Sequence, residues 1–140
     1  MTRSVHEVMT SNPVTVGKLT SLAEAARVMR DADIGDVLVV DEGRLHGIVT
    51  DRDLVIRGMA ENLDPAETTV HAVCTTEPFT VRPGDDVHHA VALMRRAALR
   101  RLPVQTEDGE LVGVVTLGDL AVESDPGSAL AAIAAAEPGS

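Results

Sequence analysis

The sequence predicts a mixed α/β fold, α+β in detail, made of two copies of one β-α-β-β-α unit. Two observations carry this. The chain repeats itself, and each copy passes through helical and strand periodicity in the same order. Shifted by 65 residues, Val5-His6-Glu7-Val8-Met9-Thr10 falls on Val70-His71-Ala72-Val73-Cys74-Thr75, and Pro13-Val14-Thr15-Val16 falls on Pro78-Phe79-Thr80-Val81. One extra residue near Asp108 moves the shift to 66. Gly47-Ile48-Val49-Thr50-Asp51-Arg52-Asp53-Leu54 then meets Gly113-Val114-Val115-Thr116-Leu117-Gly118-Asp119-Leu120.

Each copy opens with a short helical turn, Val5–Met9 or Val70–Cys74. A clipped strand follows, Val14–Val16 or Phe79–Val81. The first helix of copy one is announced by a capping box, Ser21 with Glu24. Its apolar stripe is Leu22, Ala25, Ala26 and Met29; the stripe of copy two is Val87, Ala90, Val91 and Met94. Two strands come next, Val37–Val40 with Leu45–Val49, and Leu102–Gln105 with Leu111–Val115. Gly43 and Gly109 mark the hairpin turns between them. A last helix begins at Thr50 or Thr116. The expected organisation is a repeat over 5–60, a linker over 61–69 with Pro65 as breaker, a repeat over 70–123, and an Ala-rich tail over 124–140.

Composition narrows the function. The 140 residues are 44% hydrophobic and 24% charged, enough to bury a core. The formal net charge of −10 repels nucleic acid. With no Trp, no Tyr and one Phe, there is no aromatic platform for single strands, and the core must be aliphatic. No apolar run has the length of a membrane span, and the N-terminus lacks a signal-peptide pattern. A single cysteine forms no internal disulfide, which suits a reducing cytoplasm.

Two such units, each with Gly-x-x-Thr-x-x-Asp where the hairpin meets the last helix, resemble a pair of CBS domains, the Bateman module. The stretch Arg44-Leu45-His46-Gly47-Ile48-Val49-Thr50-Asp51-Arg52-Asp53-Leu54-Val55-Ile56-Arg57-Gly58 is similar to small stand-alone CBS proteins of the hypoxic-response type. The resemblance implies a pseudo-twofold packing of the repeats and an adenosine-containing ligand in the cleft between them. It also implies a homodimer in which four CBS units form a disc.

Thr116 stands where a strand ends and a helix begins. It can cap that helix, and the unpaired N–H groups there suit an anion. The Thr hydroxyl can donate to a phosphate, and Asp119 can accept from a ribose diol. The same two residues also read as a plain capping pair. The resemblance assigns them to phosphate and ribose. It gives Arg100 and Arg101 to the phosphates, for which the guanidinium fork is suited. Phe79, Thr80, Leu102 and Pro103 complete this second site.

The first site, weaker, comprises Val14, Thr15, Val37, Thr50, Arg52 and Asp53. Gly35-Asp36 replaces Arg100-Arg101 there, and Leu38 replaces Pro103. Asp36 repels a phosphate at close range, and Arg52 is positioned to compensate by turning inward. No nucleophile–base pair or metal cluster recurs in both copies, so the expectation is no catalysis, no metal and no required cofactor.

The reading is a stand-alone sensor of AMP, ADP or ATP, with S-adenosylmethionine as a further candidate suited to Asp36. It would signal to an unidentified protein partner. The alternative is a structural or interaction dimer with vestigial sites.

Overall fold

The computed structural model describes residues 3–124. The Ala-rich stretch expected to dock or fray at the C-terminus lies outside these residues. In chain order the elements are α1 (Val5–Val8), β1 (Thr10–Ser11), β2 (Thr15–Gly17), α2 (Leu22–Ala32), β3 (Asp36–Asp41), β4 (Arg44–Thr50) and α3 (Asp51–Asp53). A π-helical stretch, Leu54–Met59, continues α3. A 3-10 turn, Val70–Ala72, precedes β5 (Thr75–Thr76), α4 (Val87–Ala97), β6 (Arg101–Gln105), β7 (Leu111–Thr116) and α5 (Leu117–Ser124). The fold is mixed α+β with two sheets.

The described residues fall into two compact units, 14–78 and 3–13 with 79–124. These units do not coincide with the sequence repeats. The leading segment of each repeat packs in the unit built from the strands of the other. Val5 donates its N–H to Asp85 O at 2.8 Å, and its counterpart Val70 donates to Thr20 O at 2.8 Å. Both valines are fully buried. The segment expected to be a linker is also tied down: Ala23 N–H donates to Pro65 O, and Leu22 N–H to Thr68 O, each at 2.9 Å.

In the unit 14–78 the sheet order is β2-β3-β4-β5, with β2 parallel to β3 and the other pairs antiparallel. Ser21 caps α2 by accepting from Glu24 N–H at 3.1 Å. The reciprocal half of the expected capping box is absent, because the Glu24 carboxylate pairs with Arg27 one turn on, at 2.9 Å. An exposed ion pair of this kind is worth only tenths of a kcal/mol, ~0.3–0.5. Helix α2 buries Leu22, Ala25 and Met29 against Val16, Val37, Val39 and Val49. Ala26, expected on that stripe, is exposed, and Val28 packs at the core edge instead.

In the other unit the order is β1-β7-β6. Helix α4 buries Val87, Ala90, Leu93 and Met94 against Leu102, Val104 and Val115. The strand expected over Phe79–Val81 shrinks to one parallel bridge, Val81 to Val104. Pro103 supplies the reason. In the first unit Leu38 N–H donates to Val14 O at 3.4 Å. Proline at the matching position has no N–H to offer.

The helix faces Leu22–Met29 and Val87–Met94 are closed within their own units, so neither is left open for the second copy that the resemblance implies. Leu22, Ala25, Met29, Val87, Ala90 and Met94 are each at most 5% exposed. Aliphatic layers of this kind fill their own sheets without needing another chain. The larger apolar side chains left open include Val55, Ile56 and Met59 on the π-helical stretch, with Met59 72% exposed.

Candidate functional site

The two copies of Thr-x-x-Asp fold alike. Thr50 N–H donates to Asp53 Oδ2 at 2.9 Å, and Asp53 N–H donates to Thr50 Oγ1 at 3.0 Å. Thr116 N–H donates to Asp119 Oδ2 at 2.9 Å, and Asp119 N–H to Thr116 Oγ1 at 3.1 Å. Each pair is a reciprocal capping box, so the plain capping reading is realised in both copies. It leaves chemistry to spare. Each threonine uses its oxygen as acceptor and keeps its O–H to donate. Each carboxylate has a second oxygen beyond Oδ2.

Near the second box, Arg101 lies opposite Thr116 in the β6–β7 register, and Leu117 N–H donates to Arg100 O at 2.8 Å. The backbone of Arg100-Arg101 is thus locked to the start of α5. Phe79 and Thr80 lie just before the Val81–Val104 bridge, which places them by the beginning of β6. Phe79 is 58% exposed. Thr80 Oγ1 accepts from Gln105 Nε2 at 3.1 Å, a partner that sequence reading missed.

Leu102 and Pro103 are both fully buried, so their side chains are core, and their part in a ligand slot rests on their backbone groups. Val37 is core for the same reason, at 1% exposed, while Val14 is open at 42%. Period-two alternation at a strand bridging core and rim does not tell which neighbour faces which side.

The first box has the same backbone frame and different charges. Asp51 N–H donates to Gly35 O at 2.9 Å, and Asp36 lies opposite Thr50. The Asp51 carboxylate stands close over Gly35, where an added Cβ would meet Oδ2 at 3.3 Å. Three acidic residues, Asp36, Asp51 and Asp53, therefore gather at this strand–helix junction. The arginine reaching Asp53 is Arg57, with Nε 3.7 Å from Oδ1, and it also donates to Val73 O at 3.3 Å. Arg52, expected to turn inward, is exposed. The i, i+4 spacing of Asp53 and Arg57 was the signal available.

A duplicated unit with a reciprocal Thr–Asp box at the same strand–helix junction in each copy defines a tandem-repeat module. The chain belongs to the CBS-domain family: the CBS domain model matches residues 5–59 and 70–124. CBS pair proteins are regulatory. Over 119 residues the chain is 39% identical to the CBS domain-containing protein YhcV of Bacillus subtilis, covering 85% of this chain and 84% of that protein. Hypoxic response protein 1 of Mycobacterium tuberculosis is 35% identical over 119 residues, 84% of this chain and 82% of that protein.

The crystal structure of Hypoxic Response Protein I with two coordinated zinc ions aligns with a TM-score of 0.78 at 35% identity, covering 85% of this chain and 97% of that one. CBSX2 in complex with AMP aligns at 0.77 and 26% identity, covering 86% and 95%. The CBS domain pair of protein MJ0100, in complex with 5'-methylthioadenosine and S-adenosyl-L-methionine, aligns at 0.78 and 25% identity, covering 91% and 100%. Among the described residues, no helix is long and apolar enough to cross a membrane.

Proposed function

We propose that this chain is a regulatory module that binds an adenosine-containing ligand at the Arg100–Arg101–Thr116–Asp119 end of its second unit and signals to a protein partner, without catalysis. The observation that carries this is the contrast between two backbone frames with matching hydrogen bonds. Identical Thr–Asp boxes sit beside Arg100-Arg101 in one copy and beside Gly35-Asp36 in the other. The arginines offer phosphate oxygens a paired donor set. AMP or ADP ranks above ATP, because a chain of net charge −10 disfavours the more highly charged anion at long range. AMP in CBSX2 supports the same class.

The acidic first junction suits a cationic ligand better than a phosphate, and the sulfonium of S-adenosylmethionine fits Asp36, Asp51 and Asp53. One buried free cysteine, Cys74, fits the reducing cytoplasm. The purified protein tests the reading directly. With no Trp or Tyr it absorbs little near 280 nm, so a co-purified or added nucleotide stands out at 260 nm. Calorimetric titration with AMP that shows no heat and no saturation refutes it.

The reciprocal box sets the result for Asp119→Ala. Removing the carboxylate deletes the acceptor of Thr116 N–H as well as the diol partner, so the fold weakens by about 0.5–2 kcal/mol. AMP affinity is expected to fall in the same variant. 2'-Deoxy-AMP should bind the unmodified protein more weakly than AMP, and that difference should vanish in Asp119→Ala. Melting curves and paired titrations check both parts. Lost stability with unchanged affinity favours the alternative reading, an interaction protein whose boxes are purely structural.

A homodimer also belongs to this proposal, now resting on Val55, Ile56 and Met59 rather than on the closed helix faces. Light scattering at micromolar concentration should give twice the chain mass. Ile56→Glu, at a half-exposed position, should return a folded monomer. A monomeric mass for the unmodified protein overturns this part.

A further inference from the structure

Outside the Thr–Asp boxes, two imidazoles 25 residues apart in sequence meet. His46 Nε2 lies 2.8 Å from His71 Nδ1, and the ring centroids are 4.9 Å apart with planes inclined by 42°. At such a distance one nitrogen carries a proton and the other offers its lone pair. The two ring nitrogens therefore face one another across a shared proton.

Both backbones are held. His46 lies in β4, next to Gly47, which pairs with Thr76 of β5. His71 N–H donates to Lys18 O at 3.2 Å, and Cys74 N–H closes the turn onto Val70 O at 2.9 Å. His71 is exposed and His46 half-buried, so the pair is open to solvent.

We propose that His46 Nε2 and His71 Nδ1 form a two-imidazole chelate for a divalent late transition metal of tetragonal preference, copper(II) or nickel(II), with water completing the coordination. Binding displaces the shared proton, and the rings turn so that the two lone pairs meet on a metal ion beside the N–N line rather than on it. For metal–nitrogen bonds of about 2.05 Å, two cis ligands at a right angle stand about 2.9 Å apart, and two ligands at the tetrahedral angle about 3.4 Å. The observed 2.8 Å is nearer the cis square spacing, so the two nitrogens need to part least for copper(II) or nickel(II).

No cluster of three or more His, Cys, Asp or Glu side chains placed to hold a metal occurs among the described residues, which supply two ligands here. Cys74 is not a third. Its side chain is buried, and its Sγ is directed to His71 O at 3.8 Å. The adjacent His88-His89 differ, for His88 lies 3.5 Å and His89 4.0 Å from separate aspartates, Asp86 and Asp85.

Copper(II) titrated into the full chain against a glycine competitor, read by visible absorption and electron paramagnetic resonance, tests the site. One equivalent should bind per chain with two-nitrogen hyperfine structure. His46→Gln and His71→Gln, each at a non-core position, should each weaken it at least tenfold. His88→Gln/His89→Gln and Cys74→Ser should leave it unchanged, and circular dichroism should show all variants folded. Copper retained in both single histidine variants, copper lost in the His88/His89 variant alone, or no protein-bound signal overturns the proposal.

Discussion

Replacing Arg100 and Arg101 together by alanine is expected to weaken AMP binding by about 1.5–3 kcal/mol for each charge-assisted hydrogen bond lost, roughly 10- to 150-fold per bond. The physical basis is local. The net charge of −10 repels a nucleotide from a distance, so binding must be won by positive charge close to the phosphate. Arg101 opposes Thr116 across the hairpin, and the Arg100 carbonyl holds the first N–H of α5, so both residues enter the site on a fixed backbone.

Lysine at both positions should restore part of the affinity, since it keeps the charge and loses the planar fork. The matching change in the first unit, Asp36→Arg, should raise affinity for AMP at that junction. Calorimetry on the three variants gives the ranking. Unchanged AMP affinity in the double alanine variant removes the arginines from the phosphate site.

Gly113→Ala and Gly47→Ala are expected to be the most damaging small substitutions outside the core. A Cβ on Gly113 would stand 2.6 Å from Met9 Sδ and 2.8 Å from Thr10 O; one on Gly47 would stand 2.5 Å from Thr75 O. Thr10 and Thr75 head the short strands β1 and β5, laid across β7 and β4. Backbone oxygens cannot swing away as a flexible side chain can, so the crossing strand must shift. Overpacking of this sort costs about 1–3 kcal/mol, and melting temperature should fall by several degrees.

Gly84→Ala is the matched control. Its Cβ meets nothing within 4 Å, and the reduced freedom of the unfolded chain makes it neutral or stabilising by up to ~1 kcal/mol. Equal melting points for all three variants would show that β1 and β5 yield freely.

The same glycines show how far the sequence could be read. Gly47 and Gly113 recur at matching places, which marked the duplication and the strand–helix junction, yet nothing in one chain says what approaches a glycine. The repeated order of strands and helices was legible because amphipathic periodicity is local: Leu22, Ala25 and Met29 bury one face of α2 as their spacing required. The Thr50–Asp53 and Thr116–Asp119 boxes were legible for the same reason, since three-residue spacing alone brings their atoms together.

Three features were decided by residues distant in sequence. Val5 and Val70 fill the units of the opposite repeats, because a short apolar turn goes wherever a core has room for it. Pro103 removed a strand by denying one donor to the segment beside it. The ring partner of His71 is His46, brought there by the pairing of β4 with β5. Local spacing specifies which elements form; which side chains meet across 25 residues depends on strand register, and register is settled only when the sheet closes over its core.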